Sequence, residues 1–274
     1  MSAPVRIAGL HVPLVTPFDA TDRVDVDALE VLAGEVLDAG AAGVVALATT
    51  GEATALDAAE RDAVVAACAR VCADRPGARL TVGAGTNDTR TTIARHEALA
   101  DIPEATASLA VVPYYVRPSE AAIVRHFQVV AERSPVPVLV YNIPYRTGRG
   151  LGASALLELA ATDNVAGVKQ AVGGIDADTL LLLARAPDGF AVLGGDDPYL
   201  TPVALMGGAG AIAASAHVAT DRFVAMLDRA LAGDAVAARA EAAALLPLVL
   251  ALFAEPSPAV IKALLHADGR LPTA

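Results

Sequence analysis

NVAGVKQAVGG, residues 164–174, is a short apolar run that ends in a lysine and then gives way to glycine. Runs of this length, rich in Val and Ala and with no apolar/polar alternation, are the pattern of strands buried on both faces. Seven more occur along the chain: LHVPLV (10–15), GVVALA (43–48), RLTVGA (79–84), SLAVVP (108–113), VPVLVY (136–141), FAVLG (190–194) and GAIAA (210–214). Helical spacing fills the gaps, as in Leu29, Leu32, Val36 and Leu37, or Val64, Val65, Cys68 and Cys72. Asp57 with Glu60 predicts a capping box at the start of the second helix, and Gly40 marks the end of the first. Eight strand and helix pairs in strict alternation predict the α/β class and a closed (β/α)8 TIM barrel over residues 1–232. From Gly233 onward, ALLPLVLALF and SPAVIKALL predict additional C-terminal helices, an extension over 233–274 that packs on the barrel or on a neighbouring subunit.

Composition narrows the function classes. The 274 residues are 55% hydrophobic with a net charge of −11, and no basic cluster is present, so neither nucleic acid nor an anionic membrane is an expected partner. The strongly apolar stretch 242–254 contains Pro247 and is shorter than the roughly 20 residues that span a bilayer. The opening MSAPVRIAGL lacks the basic and apolar regions of a secretory leader, so a cytoplasmic location is expected. Cys68 and Cys72 lie one helical turn apart among apolar residues and read as core. His11, His96, His126, His217 and His266 have no ligand spacing, so no metal is expected. Neither VGAGTN (82–87) nor GGAGAIA (207–213) completes a dinucleotide fingerprint, and Asp196 and Asp197 in GGDDPY would repel a phosphate.

Catalytic groups of such barrels stand at the C-terminal ends of strands. Those positions here hold Thr49, Thr50 and Gly51, then Tyr114 and Tyr115, then Tyr141 with Asn142 and Arg146, and finally Lys169. An ordinary lysine is neutral in only about one molecule in two thousand at pH 7, but an apolar strand end lowers its pKa by up to several units. A neutral amine attacks ketones to form an imine, an electron sink for carbon–carbon bond chemistry that needs no other cofactor. Lys169 is therefore the candidate nucleophile and Tyr141 the candidate proton carrier, with Thr49 as its relay. N–H groups around Thr50 and Gly51 offer a nest for a keto acid carboxylate, and Arg146 offers bidentate recognition of a second one. The competing readings are a snorkelling or ion-paired lysine, a rim tyrosine, a turn-forming threonine pair and a surface arginine.

ATTGE (48–52), VVPYYVRPS (111–119), YNIPYRTG (141–148), GVK (167–169) and GGDD (194–197), in this order, resemble the dihydrodipicolinate synthase and N-acetylneuraminate lyase family from about Ile7 to Lys262. The resemblance implies a pyruvate-dependent class I aldolase, usually a homotetramer of two tight dimers, with a covalent imine between Lys169 and pyruvate. By that likeness Thr49 links Tyr141 to Tyr115, which crosses from a partner subunit, while Thr50 binds the pyruvate carboxylate. Gly195, Asp196 and Ile212 complete the substrate-binding set. Arg146 matches the arginine that, in the synthase branch, holds the carboxylate of aspartate semialdehyde. Arg146 makes the synthase branch the first reading; Gln170-Ala171-Val172 replaces the usual Glu-Ala-Thr/Ser, and Gln170 and Val172 argue for a second, a sister aldolase acting on a sugar acid or another hydroxy-oxo acid; a non-catalytic barrel that binds small acids is the third. His217 stands where many synthases have asparagine. Of the residues that bind inhibitory lysine in some members, Asn87 and Tyr114 remain while Ala53, Arg61 and Thr91 replace the others, so strong lysine feedback is not expected. The sequence closes at GRLPTA, short of the family's last helix, which leaves the dimer a firmer expectation than the tetramer.

Overall fold

The computed structural model describes residues 7–274; the opening MSAPVR, part of the segment read above as lacking a secretory leader, lies outside them. The chain runs β1 (Gly9–Pro13), α1 (Val26–Asp38), β2 (Gly43–Ala46), α2 (Ala58–Ala73), β3 (Arg79–Gly83), α3 (Thr89–Glu97), β4 (Ala105–Val111) and α4 (Glu120–Arg133). It continues through β5 (Val138–Asn142), α5 (Pro144–Thr147), α6 (Ala153–Ala160), β6 (Val165–Gln170), α7 (Ala177–Arg185), β7 (Ala191–Gly194), α8 (Leu200–Leu205), β8 (Gly210–Ile212) and α9 (Thr220–Leu231). Every strand pairs in parallel with the next, and β8 returns to β1 with Leu10 opposite Ala211, so the barrel closes.

Local chemistry sets the element ends as expected. Asp57 accepts the Glu60 N–H at 2.9 Å while the Glu60 carboxylate accepts the Asp57 N–H at 3.0 Å, which completes the capping box of α2. Gly40, at φ +99°, lets the chain leave α1 in a conformation other residues rarely adopt. Cys68 and Cys72 are buried and unbridged, and burial pushes the Cys68 thiol up to about 12, the behaviour of an inert core residue. The strand expected at 108–113 starts earlier, at Ala105. Ala-Thr-Ala has no hydrophobic signature of its own; pairing with β3, Leu80 opposite Ala105, carries it into the sheet.

Each strand divides its side chains between two apolar layers. Val138, Val140 and Val168 pack outward against α4, α6 and α7, whereas Leu139, Tyr141 and Leu193 fill the barrel interior with Val45, Leu109 and Ile212. Each fully buried Val or Leu contributes about 1.5–3 kcal/mol relative to exposure. The tail forms α10 (Ala235–Leu252) and α11 (Ala259–Ala267), whose Leu245, Val249, Leu252, Ile261 and Leu265 join the cluster that contains β1 and α1. With 18 residues and a mean hydropathy of 1.8, α10 is long and apolar enough to cross a membrane, because it begins well before the apolar stretch that the sequence displays and carries Pro247 inside it. Lys262 of α11 is buried with its Nζ 2.9 Å from Glu52 Oε1 and 4.3 Å from the Phe18 ring centroid, which ties the tail to the loop after β2.

Gly83 shows how closely this end of the barrel is packed. A Cβ at Gly83 would lie 2.1 Å from the Leu47 carbonyl oxygen, an impossible contact with backbone. Gly83→Ala is expected to cost on the order of 1–3 kcal/mol and lower Tm by several degrees in a calorimetric scan; an unchanged Tm would contradict this packing.

Candidate active site

Register brings the two central residues together. Lys169 and Tyr141 are opposite one another on β6 and β5, both point inward, and the lysine Nζ lies 4.3 Å from the Tyr141 ring centroid. Lys169 is 5% exposed, and that burial lowers its amine to about 8, against the pull of Asp197, Tyr145 and Asp196 toward the charged form. Burial likewise pushes the Tyr141 hydroxyl well above its usual range, and its side-chain hydrogen bond with Thr49 works the other way. A buried tyrosine of this kind stays protonated and acts as a hydrogen-bond donor.

The loop after β2 presents Thr49 and Thr50 to this pair. Leu47 at φ +56° and Glu52 at φ +51° bracket it, a local strain held in place by its surroundings. The Thr16 hydroxyl donates to the Gly51 carbonyl at 2.7 Å, and Glu52 is held by Lys262. The Gly51 N–H donates to the Ala48 carbonyl at 3.1 Å. In this structure the Gly51 donor is therefore engaged in the turn. What the position demands is the lack of a side chain, since a Cβ would lie 3.0 Å from the Leu14 carbonyl oxygen.

A cavity of about 260 Å³ is lined by Lys169, Tyr141, Thr49, Thr50 and Arg146, together with Gly195, Asp196 and Ile212. Gly195 makes room for the Lys169 side chain, because a Cβ there would lie 2.9 Å from Lys169 Cγ. Asp196 accepts the Gly173 N–H at 2.7 Å, and Asp197 accepts the Ser215 N–H at 2.6 Å. Burial raises both carboxyls, while these N–H donors favour their charged forms. The acidic pair thus braces the loops that follow β6 and β8. Among the described residues, no three His, Cys, Asp or Glu side chains converge as a metal site.

Tyr115 does not join this cluster within the single chain. It is 86% exposed at φ +72° and lines neither the Lys169 cavity nor the one beside it, whereas its neighbour Tyr114 lines an adjoining cavity of about 420 Å³. Several residues of the mouth escaped the strand-end rule, among them Tyr145, Phe253 and Ser257. Tyr145 lies in the YNIPYRTG segment and could have been found there; Phe253 and Ser257 come from the tail, where nothing in the sequence pattern marks them. Arg146 stacks 5.3 Å from the Tyr145 ring centroid and donates to the Ser257 carbonyl at 3.5 Å, so the extension helps place it.

Two departures from the family pattern have structural explanations. Gln170 faces away from Lys169, accepts from Asn142 Nδ2 at 3.0 Å and donates to Thr179 Oγ1 at 3.0 Å, which ties β5 and β6 to α7. His217 accepts the Val15 N–H through Nε2 at 3.2 Å and donates through Nδ1 to the Ala214 carbonyl at 2.7 Å. Burial lowers it to about 4, so it is a neutral brace between β1 and the loop after β8.

Residues 6–272 match the signature of the dihydrodipicolinate synthetase family. A 4-hydroxy-tetrahydrodipicolinate synthase of Neisseria meningitidis is 38% identical over 264 residues, 96% of this chain and 89% of that protein. One from Pseudomonas aeruginosa is 37% identical over 268 residues, 97% and 90% of the two chains. Among solved structures, the chloride-inhibited dihydrodipicolinate synthase of Acinetobacter baumannii, complexed with pyruvate, is similar at a TM-score of 0.92 and 31% identity, over 97% of this chain and 90% of that one. With the match running through all eight strands and on into the tail, this chain belongs to the dihydrodipicolinate synthetase family.

Proposed function

We propose that the chain condenses pyruvate with L-aspartate 4-semialdehyde to give 4-hydroxy-tetrahydrodipicolinate and water. The observation that carries this reading is the buried Lys169 amine, lowered to about 8 beside Tyr141, with Arg146 on the same cavity. The amine attacks the pyruvate ketone, and loss of water leaves the imine. Removal of a methyl proton then gives an enamine, whose carbon attacks the aldehyde. Tyr141, relayed through Thr49, returns the proton to the new alkoxide. The amino group of the second substrate finally attacks the imine carbon, closes the ring and releases Lys169. Thr50 takes the pyruvate carboxylate, and Arg146 takes that of the semialdehyde as a bidentate partner. Gly195, Asp196 and Ile212 shape the pocket, and no cofactor beyond the imine is invoked.

Of Gln170 and Val172, the two residues that argue for a sugar-acid substrate, Gln170 is occupied by Asn142 and Thr179 on the far side of β6, which supports the semialdehyde reading. Residues 1–232 carry the chemistry in this proposal, and 233–274 cover the mouth through Phe253 and Ser257. The enzyme acts in the cytoplasm as a homodimer or homotetramer, in which Tyr115 reaches the neighbouring site and extends the Thr49–Tyr141 relay.

Three measurements test it. Borohydride reduction in the presence of pyruvate is expected to leave a covalent adduct on Lys169 that Lys169→Ala lacks. Since only the neutral amine attacks and its pKa is lowered, the trapping rate should rise about tenfold per pH unit up to about 8 and level off beyond it; a rise that continues past pH 9 would contradict the burial argument. In a coupled assay, aspartate semialdehyde should turn over in preference to N-acetylneuraminate or 2-keto-3-deoxy sugar acids, and Arg146→Ala should raise KM for the semialdehyde about tenfold or more with little change for pyruvate. Specific activity should fall on dilution below the dimer dissociation constant, and Tyr115→Phe should lower kcat without abolishing the Lys169 adduct. Dilution-independent activity would remove Tyr115 from the mechanism.

A further inference from the structure

The cavity of about 260 Å³ that holds Lys169 has a neighbour of about 570 Å³, and the two share Tyr145, Arg146, Phe253 and Ser257 in their linings. Ala254, Glu255 and Pro256 complete the second cavity, which reaches neither Lys169 nor Tyr141. The four shared residues therefore stand between the space where the imine forms and the space beyond it. Two of them are aromatic: Tyr145 from α5 and Phe253 at the end of α10.

Tyr145 also acts on Arg146. Arg146 Nε donates to the Tyr145 hydroxyl at 3.3 Å, and the guanidinium carbon lies 5.3 Å from the Tyr145 ring centroid. Nη2 donates to the Ser257 carbonyl at 3.5 Å, while Nη1 makes no hydrogen bond among the described residues. No carboxylate among those residues pairs with Arg146 either, so the hydroxyl, the ring and one carbonyl are what hold it. A guanidinium is a rigid, planar fork of five N–H donors that grips a carboxylate by its Nε/Nη2 side or by its Nη1/Nη2 end. With Nε spent on Tyr145, the end is the donor pair left for a ligand, because Nη2 carries a second N–H.

We propose that Tyr145 positions Arg146 and limits the length of the aldehyde that the mouth accepts. Its hydroxyl leaves the Nη1/Nη2 end of Arg146 for the substrate carboxylate, and its ring closes the Lys169 cavity against a chain that runs on past that carboxylate. The substrate class is then a short aldehyde that ends in a carboxylate; long polyhydroxy aldehydes are excluded. The inference rests on the reaction proposed above, in which Arg146 takes the carboxylate of the semialdehyde. Tyr145 is 64% exposed, so replacing it leaves the fold intact and isolates this role.

Steady-state kinetics of the full chain test both parts. Tyr145→Phe, which keeps the ring and loses the hydroxyl, should raise KM for aspartate semialdehyde about fivefold while KM for pyruvate moves less than about twofold. In an Arg146→Ala background the same substitution should add nothing, because the group it acts through is gone. Tyr145→Ala, which removes the ring as well, should raise kcat/KM for the cleavage of N-acetylneuraminate, whose aldehyde product is a long polyhydroxy chain, about tenfold or more over wild type; Tyr145→Phe should not. An unchanged semialdehyde KM in Tyr145→Phe, an effect that persists without Arg146, or no gain toward N-acetylneuraminate in Tyr145→Ala would each overturn the proposal. If the wild-type enzyme turns over the semialdehyde, any of these results sinks this inference alone. A wild-type enzyme that does not turn it over sinks the proposed reaction, and this inference with it.

Discussion

Burying the Lys169 amine at the end of β6 disfavours its charged form, and the barrel supplies that dry environment only because the sheet closes. In an open sheet the inward side chains of β5 and β6 would face solvent or a helix. Closure instead places Tyr141 over the amine, with Leu193 and Ile212 in the same interior cluster. Desolvation outweighs the two nearby carboxylates, Asp196 and Asp197, whose own burial and backbone hydrogen bonds keep them occupied in bracing loops.

The mouth is held from outside the barrel as much as from within. Glu52, in a strained left-handed conformation, is fixed by Lys262 from the tail, and Thr16 fixes the Gly51 carbonyl. Those anchors set where Thr49 and Thr50 stand. Ser257, between α10 and α11, reaches Arg146, so the tail acts on both the Thr49–Thr50 loop and Arg146 although it contributes no strand-end residue. The extension is therefore part of the site's architecture, and its buried residues share one cluster with β1 and α1.

Much of this was legible in the sequence. The eight apolar runs lie within a few residues of the strands, and the Asp57–Glu60 box and Gly40 mark the ends of helices where capping chemistry predicts them. The strand-end rule found Lys169, Tyr141, Thr49, Thr50 and Arg146 together. It could not see Phe253 or Ser257, because contacts between distant segments leave no periodic trace. Gln170 is the instructive case. As a departure from the family pattern it pointed to altered specificity, yet its side chain faces the outer layer and serves the packing of α7.

Order and type of elements followed from the sequence because burial on both faces and helix capping are local requirements, readable in runs of a few residues. Which residues of each strand face the interior was decided by the tertiary structure alone. A strand buried on both faces has no apolar/polar alternation to reveal its parity, so Lys169 inward with Gln170 outward, and Tyr141 beside the lysine, were set only when neighbouring strands paired in register and the barrel closed.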